Sequence, residues 1–194
     1  MLILWEPRLA FLATPKTGST AIEAALEPFA AMSAMRPPLL KHTTLYRYQR
    51  FIGPYLRAAS GDDFATVALI REPRDWLGSW FRYRRREGVD PAKSTAAMTF
   101  EEFLRAYAAT DRPAFADLGS QAQFLRPKDR PVDHLFRHDA MTALIAFLED
   151  RLARRIDLPR LNVSPPGDLT LSPAGEALLR ETFAADYDIY ESCA

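Results

Sequence analysis

The sequence has little cysteine, lysine or histidine and no net charge. Cys193 is the only cysteine, so no intrachain disulfide can form, and we expect a reducing, cytoplasmic compartment. The 25 basic residues balance 25 acidic ones, which leaves no overall field to attract nucleic acid or a membrane surface. No apolar run has the length of a membrane span, and residues 2–5 are too short for the apolar part of a secretory signal.

The remaining composition is that of an ordinary folded domain. Hydrophobic residues make up 48% of the 194 residues and charged residues 26%, so we expect a single domain over residues 1–194 with a sizeable core. Arginine dominates the basic set, and a lysine inside a functional pattern therefore stands out. The only lysines are Lys16, Lys41, Lys93 and Lys128.

Apolar runs alternate with amphipathic stretches along the chain. Residues 2–5 and 9–13 read as two short strands that could form a hairpin, and residues 64–70 read as a buried strand of the parallel type. We predict helices from Thr20 to Phe29, from Leu45 to Phe51 with its end at Gly53-Pro54, over residues 141–152, and from Ser172-Pro173 through Tyr190. This order predicts a three-layer α/β domain, similar to the P-loop NTPases, with a mainly parallel central sheet.

One turn between a strand and a helix has the chemistry of an anion site. Residues 9–29 read LAFLATPKTGSTAIEAALEPF, an apolar strand, a tight turn and an amphipathic helix. A turn that enters a helix presents free N–H groups and the positive end of the helix dipole, and both attract anions. Thr20 and Glu23 have the spacing of a capping box. The alternative interpretation is an ordinary turn capped by a serine or a threonine.

The side chains of this turn favour the anion site. Lys16 adds a positive charge, and Gly18 lets the backbone approach a bound group closely. The hydroxyl groups of Thr17, Ser19 and Thr20 add possible donors.

A second pattern follows the buried strand. Arg71 stands at the strand end and Ser79 lies eight residues later, two turns into a predicted helix. A guanidinium can hold a phosphate through two parallel hydrogen bonds, and a helical hydroxyl can complete the pocket. Glu72 must point away from such a site or pair with an arginine such as Arg74. Alternatively, Arg71 is a solvated strand-end residue and Ser79 a small residue at a helix crossing.

The two patterns together resemble one enzyme family. The string PKTGST at residues 15–20 resembles the phosphosulfate loop of sulfotransferases that use 3′-phosphoadenosine 5′-phosphosulfate (PAPS), closest to the carbohydrate-modifying, Golgi-type branch. Residues 70–81 resemble the motif with which that family binds the 3′-phosphate. The resemblance implies that Arg71 and Ser79 hold the 3′-phosphate. It also implies that the 5′-phosphosulfate is held by Pro15, Lys16, Thr17, Gly18, Ser19 and Thr20.

Two further stretches resemble the family more weakly. Residues 132–139 resemble a family strand in which Asp139 replaces a glutamate, and residues 158–164 resemble a segment in which Arg160 replaces a histidine. Glu72 also departs from the family pattern, which has asparagine there. Enzymes of this branch in animal secretory pathways usually carry an N-terminal anchor, which this sequence lacks, so we expect a soluble, bacterial or excised-domain version.

The resemblance implies sulfuryl transfer from PAPS to an acceptor hydroxyl, with a carbohydrate as the acceptor, adenosine 3′,5′-bisphosphate as the product and no metal. Lys16 would stabilise the developing charge. We assign the general base to His42, since imidazole titrates near neutrality, with a carboxylate such as Glu23 as the alternative. His134 and His138 are interpreted as structural.

Other classes of function remain open at this point. A P-loop kinase or NTPase places its lysine after the last glycine and needs an acidic strand end to hold Mg²⁺, whereas Lys16 precedes Gly18 and the buried strand ends at Arg71. A non-catalytic nucleotide-binding module is the third possibility. Residues 82–86 include four arginines, which form either a solvated face or a contact with an anionic acceptor or the 3′-phosphate.

Overall fold

A computed structural model describes residues 1–159 and 167–193. Its centre is an open sheet of five strands in the order β3-β1-β2-β4-β5. The strands are β1 (Leu2–Leu4), β2 (Leu9–Leu12), β3 (Met32–Ser33), β4 (Ala65–Ile70) and β5 (His134–Arg137).

The sheet is mixed, which corrects the expectation of a mainly parallel central sheet. β1 pairs antiparallel with both β2 and β3, whereas β2–β4 and β4–β5 are parallel pairs. Only four residues separate β1 from β2, and such a short connection allows a hairpin but not the long crossover that parallel strands need. The expected hairpin and the α/β class are confirmed, and the parallel arrangement holds for the half of the sheet that follows β2.

Ten α-helices surround the sheet in the described ranges. They are α1 (Ser19–Leu26), α2 (Pro38–Lys41), α3 (Leu45–Arg47), α4 (Gly53–Ser60), α5 (Pro73–Arg84), α6 (Phe100–Ala108), α7 (Gln121–Leu125), α8 (Met141–Leu152), α9 (Pro173–Thr182) and α10 (Ala184–Ser192). Short 3₁₀ turns occupy Glu27–Phe29, Pro91–Lys93 and His138–Ala140. In these ranges no helix combines the length and the apolar character that crossing a bilayer requires.

Both faces of the sheet are buried under helices. Alternate residues of β2 point to opposite faces, so Leu12 packs with residues of α3, α4, α7 and α10, while Phe11 packs with residues of α1 and α8. The domain therefore has three layers. A separate aromatic core joins α5, α6, α9 and α10 beside the sheet, and it includes Trp76, Phe81, Phe103 and Phe183.

The helix that begins at Leu45 does not end at Gly53-Pro54 as predicted. It passes through a π-helical turn, Tyr48–Ile52, and continues directly as α4. Pro54 lies just after this π-helical turn and has no N–H, so the continuous helix lacks one backbone hydrogen bond there. The C-terminal helix is likewise divided, because Phe183 leaves helical geometry between α9 and α10.

Candidate anion-binding site

The turn between β2 and α1 has a strained backbone. Lys16 has φ of 64° and Gly18 has φ of 75°, and both values lie in the left-handed region. Glycine adopts this region without cost, whereas for Lys16 it costs on the order of 1–3 kcal/mol. Strain of this kind persists where surrounding contacts fix it, and it is typical of ligand-binding turns.

The N-terminus of α1 carries no side-chain cap. Gly18 is the N-cap residue, so the predicted capping box of Thr20 and Glu23 is wrong. Glu23 is fully buried instead, where its carboxylate lies 3.0 Å from Lys41 Nζ and 2.9 Å from the Met1 amino group. The pull of these two cations turns Glu23 away from the helix start, and the first turn of α1 keeps the positive potential that attracts anions.

Not all of the hydroxyl groups in the turn can face a ligand. Thr17 is fully buried and its Oγ1 donates to the carbonyl of Thr14 at 2.9 Å, so this side chain holds the turn together. Thr17 can therefore serve a ligand only through its backbone N–H. Thr20 Oγ1 accepts a hydrogen bond from Lys41 Nζ at 3.1 Å, which leaves its own hydrogen available for donation.

The second sequence pattern lies directly against this turn. Arg71 Nη1 donates to the carbonyl of Lys16 at 3.2 Å, and Trp76 Nε1 donates to the carbonyl of Pro15 at 2.9 Å. The parallel pairing of β2 with β4, in which Leu12 is opposite Ala68, brings the two strand ends to the same edge of the sheet. Arg71, which sequence reasoning assigned to the second half of the site, is thus a direct neighbour of the turn.

A clamp that the sequence did not reveal fixes Arg71. Gln121 Oε1 accepts from the Arg71 N–H and Gln121 Nε2 donates to the Arg71 carbonyl, both at 2.8 Å. Gln121 is only 1% exposed, and its own N–H donates to Asp186 Oδ1 at 2.8 Å. Burial raises the pKa of the Asp186 carboxyl to about 6. Since fifty residues separate Gln121 from Arg71, no local pattern could have indicated this contact.

Glu72 points away from the turn, which is one of the two arrangements that the sequence analysis allowed for it. Its Oε2 accepts from the N–H of Asp75 at 2.8 Å and caps α5, while its Oε1 accepts from the hydroxyl of Tyr187 at 2.9 Å. Arg74 is not its partner and pairs with Glu176 at 2.7 Å. The Glu72 carboxylate, although next to Arg71 in the chain, is therefore engaged in capping α5 and in the hydrogen bond from Tyr187.

Ser79 lies in α5 and is 7% exposed. Its neighbour Gly78 lies at a close approach to the segment before α9, where an added Cβ would lie 2.5 Å from the side chain of Leu169.

Lys16 is surrounded by positive charge. Its Nζ lies 3.2 Å from the ring centroid of Tyr83 and 4.4 Å from that of Trp80. Burial, followed by the charges of Arg86, Arg84 and Arg71, lowers the pKa of Lys16 to about 7. Within the described residues no carboxylate lies within 4.0 Å of any of these four cations. A bound anion would relieve this repulsion.

His42 lies beside the base of the turn. Its Nδ1 is 2.6 Å from the carbonyl of Ala13, and because a carbonyl only accepts, Nδ1 carries the proton and Nε2 is left as the basic nitrogen. Burial lowers the pKa of His42, so the ring is neutral at pH 7, the form that a general base requires. Glu23, the carboxylate alternative, is fully buried and already paired with Lys41.

A second histidine reaches the turn. A Cβ added at Gly18 would lie 3.7 Å from His138 Nε2, so the residue interpreted as structural lines the anion site. Burial, and then the charge of Arg71, lowers the pKa of His138. The sequence could have indicated this position only with knowledge that β5 is the neighbour of β4.

The weaker resemblances are less informative. Asp139 accepts a hydrogen bond from the hydroxyl of Tyr190 at 2.9 Å and lies 3.4 Å from Arg137 Nε. It is therefore engaged next to the end of β5. In the stretch at residues 158–164, the part from Arg160 onward lies outside the described residues.

Comparison of the chain with protein-family models, with curated proteins and with solved structures found no match. A function for this site therefore has to be proposed from its geometry and from the motifs of the sequence.

The clamp on Arg71 gives a first testable prediction. Gln121→Glu keeps the acceptor for the Arg71 N–H but removes the donor to the Arg71 carbonyl, which leaves a buried acceptor unpaired. We expect a loss of about 1–3 kcal/mol in the free energy of unfolding, measured by urea titration. Gln123→Glu, at an exposed capping position of α7, is the control, and equal stability of the two variants would contradict the assigned role.

Proposed function

We propose that this protein is a sulfotransferase that moves a sulfuryl group from PAPS to a hydroxyl of an acceptor, with a carbohydrate as the acceptor class. The observation that carries the proposal is the contact between Arg71 and the carbonyl of Lys16, which places a strand-end guanidinium beside an uncapped helix N-terminus. Such a site has two anion-binding parts at a fixed separation, and PAPS carries two anionic groups on one nucleotide.

The two parts take different ends of the donor in this proposal. The 5′-phosphosulfate lies on the turn, where backbone N–H groups, Lys16 and the hydroxyl of Thr20 surround it. The 3′-phosphate lies on Arg71 and Ser79. Arg71 uses one N–H for the Lys16 carbonyl, and its Nε is buried without a partner in the described chain, so the guanidinium has unused donor capacity.

The reaction is an in-line displacement at sulfur. The acceptor oxygen forms a bond to sulfur while the bond from sulfur to the 5′-phosphate oxygen breaks, which releases adenosine 3′,5′-bisphosphate. The proton of the acceptor hydroxyl goes to His42 Nε2. Charge grows on the bridging oxygen, and Lys16 stabilises it more in the transition state than in the ground state. This scheme uses the side chains and backbone N–H groups of the chain and calls for no metal.

The kinase or NTPase alternative receives less support from the arrangement. The strand next to β2 on its parallel side ends at Arg71, and Asp139 after β5 is engaged with Tyr190 and Arg137. Neither position offers a free carboxylate beside the turn for Mg²⁺. A chelator should therefore leave turnover intact, and a strict need for Mg²⁺ would favour the NTPase alternative.

Nucleotide selectivity tests the assignment of Arg71. The 3′-phosphate adds a charge-assisted bidentate contact worth about 1.5–3 kcal/mol, so adenosine 3′,5′-bisphosphate should bind about 10- to 150-fold more tightly than adenosine 5′-monophosphate. Isothermal titration calorimetry measures both affinities. Arg71→Lys should remove most of this preference, whereas Arg126→Ala, at an exposed arginine, should keep it. Equal affinity of the wild type for the two nucleotides would refute the 3′-phosphate site.

Lys16→Ala should reduce turnover far more than it weakens bisphosphate binding, because the lysine acts on charge that develops in the transition state. The turnover rates of the variant and the wild type with PAPS and a glycan panel are compared with their affinities for the bisphosphate product. Lys93→Ala, at an exposed lysine, is the matched control. Near-normal turnover of Lys16→Ala would make this lysine a loop residue only, and binding without any turnover in the wild type would indicate a non-catalytic module.

His42→Ala should lose about 10²–10⁴-fold in turnover while bisphosphate affinity changes little. The base must be neutral, so kcat/KM of the wild type should fall as the pH falls through the pKa of His42. Because burial lowers that pKa, the midpoint should lie below the ordinary value of 6.5. His138→Ala is the comparison, since His138 is the other histidine at the turn. If this variant, and not His42→Ala, loses the pH step, the base is His138.

A further inference from the structure

The amino group of Lys16 rests on two aromatic rings of α5. The rings of Trp80 and Tyr83 have centroids 6.0 Å apart and an interplanar angle of 84°, so they form two walls of a corner. Lys16 Nζ lies in this corner, 3.2 Å from the Tyr83 centroid and 4.4 Å from the Trp80 centroid. We call these two rings the aromatic seat.

The rings of the aromatic seat attract the Lys16 amino group only weakly. A cation–π contact at a partly exposed ring corresponds to a factor of about 2–5 in an equilibrium constant. Tyr83 is 42% exposed, and Arg86 Cζ lies 5.3 Å from the centroid of the same ring. Because this attraction is small and shared, a phosphate or sulfate group at the turn would compete with it effectively.

The charged side chains that face Lys16 all oppose its protonation. Arg71 stands at the end of β4, Arg84 lies in the last turn of α5, and Arg86 follows that helix. Burial and these cations lower the pKa of the amine. A bound anion reverses the sign of the local potential and raises that pKa, so anion binding above pH 7 should take up a proton.

We propose that Trp80 and Tyr83 are positioning residues that hold the Lys16 amine beside the turn and release it to an anion that binds there. The seat restricts a long, flexible side chain to one place next to the turn. This inference rests on the proposed function for the identity of the anion only, because the seat itself is formed by residues of this chain alone.

Lysine NMR tests the seat without any ligand. The protein has only four lysines, so ¹³Cε-labelled lysine gives four resonances, and Lys16→Met identifies that of Lys16. Ring currents should move the Lys16 Hε signals upfield of those of exposed Lys93 and Lys128, and its titration midpoint should lie near 7. Tyr83→Phe should keep the upfield shift because it keeps the ring face, whereas Tyr83→Leu should lose most of it.

Addition of adenosine 3′,5′-bisphosphate tests the release. The Lys16 signals should move downfield as the amine leaves the rings, and calorimetry at pH 8 in buffers of different ionisation enthalpy should show proton uptake. At pH 6, where the Lys16 amine is charged, Tyr83→Leu lacks the competing ring and should bind the bisphosphate about 2- to 5-fold more tightly than the wild type. Tyr83→Phe should match the wild type.

The outcomes separate this inference from the proposed function. If the bisphosphate fails to bind while inorganic pyrophosphate moves the Lys16 signals, the nucleotide assignment is wrong and the seat stands. If the Lys16 signals show no upfield shift in the ligand-free protein, or keep that shift with both anions present at high concentration, the seat is refuted whatever the enzyme's activity.

Discussion

The parallel pairing of β2 with β4 is the constraint on which the candidate site depends. It brings two strand ends to one edge of the sheet, so the turn after β2 and the arginine after β4 meet although 55 residues separate Lys16 from Arg71. Two further contacts then hold the edge rigid: Trp76 bonds to the Pro15 carbonyl, and Gln121 bonds to both backbone groups of Arg71. A slip in this pairing would separate the two halves of the site.

The second feature of the site is a group of cations with no carboxylate in ion-pair contact within the described residues. Arg57, Arg74 and Arg180 have carboxylate partners, whereas Lys16, Arg71 and Arg84 have aromatic or carbonyl partners. Folding gains little from placing such charges together in a partly buried region. Groups that oppose stability in this way are typical of binding and catalytic sites, because the missing partner is the ligand.

Much of the local structure could be predicted from short-range patterns. Thr99 and Glu102, which have the spacing of a capping box, form one at the start of α6, and Ser172, which precedes Pro173, caps α9. The same kind of pattern failed at Thr20 and Glu23, because the buried contacts of Glu23 with Lys41 and the Met1 amino group outweigh a cap. The π-helical turn that carries the chain past Gly53-Pro54 had no signal in the apolar spacing.

The sequence by itself determined the α/β class, the strand, turn and helix around Lys16, and the position of Arg71 at the end of an apolar strand. Tertiary structure decided that β3 pairs with β1 at the edge of the sheet, that Gln121 and His138 lie against the candidate site, and that Lys16 lies on Trp80 and Tyr83. The physical reason is the distance along the chain over which each kind of interaction acts. Capping and periodicity act over a few residues, whereas burial and strand order join residues far apart in the chain, and these longer contacts set the charge and orientation of each site group.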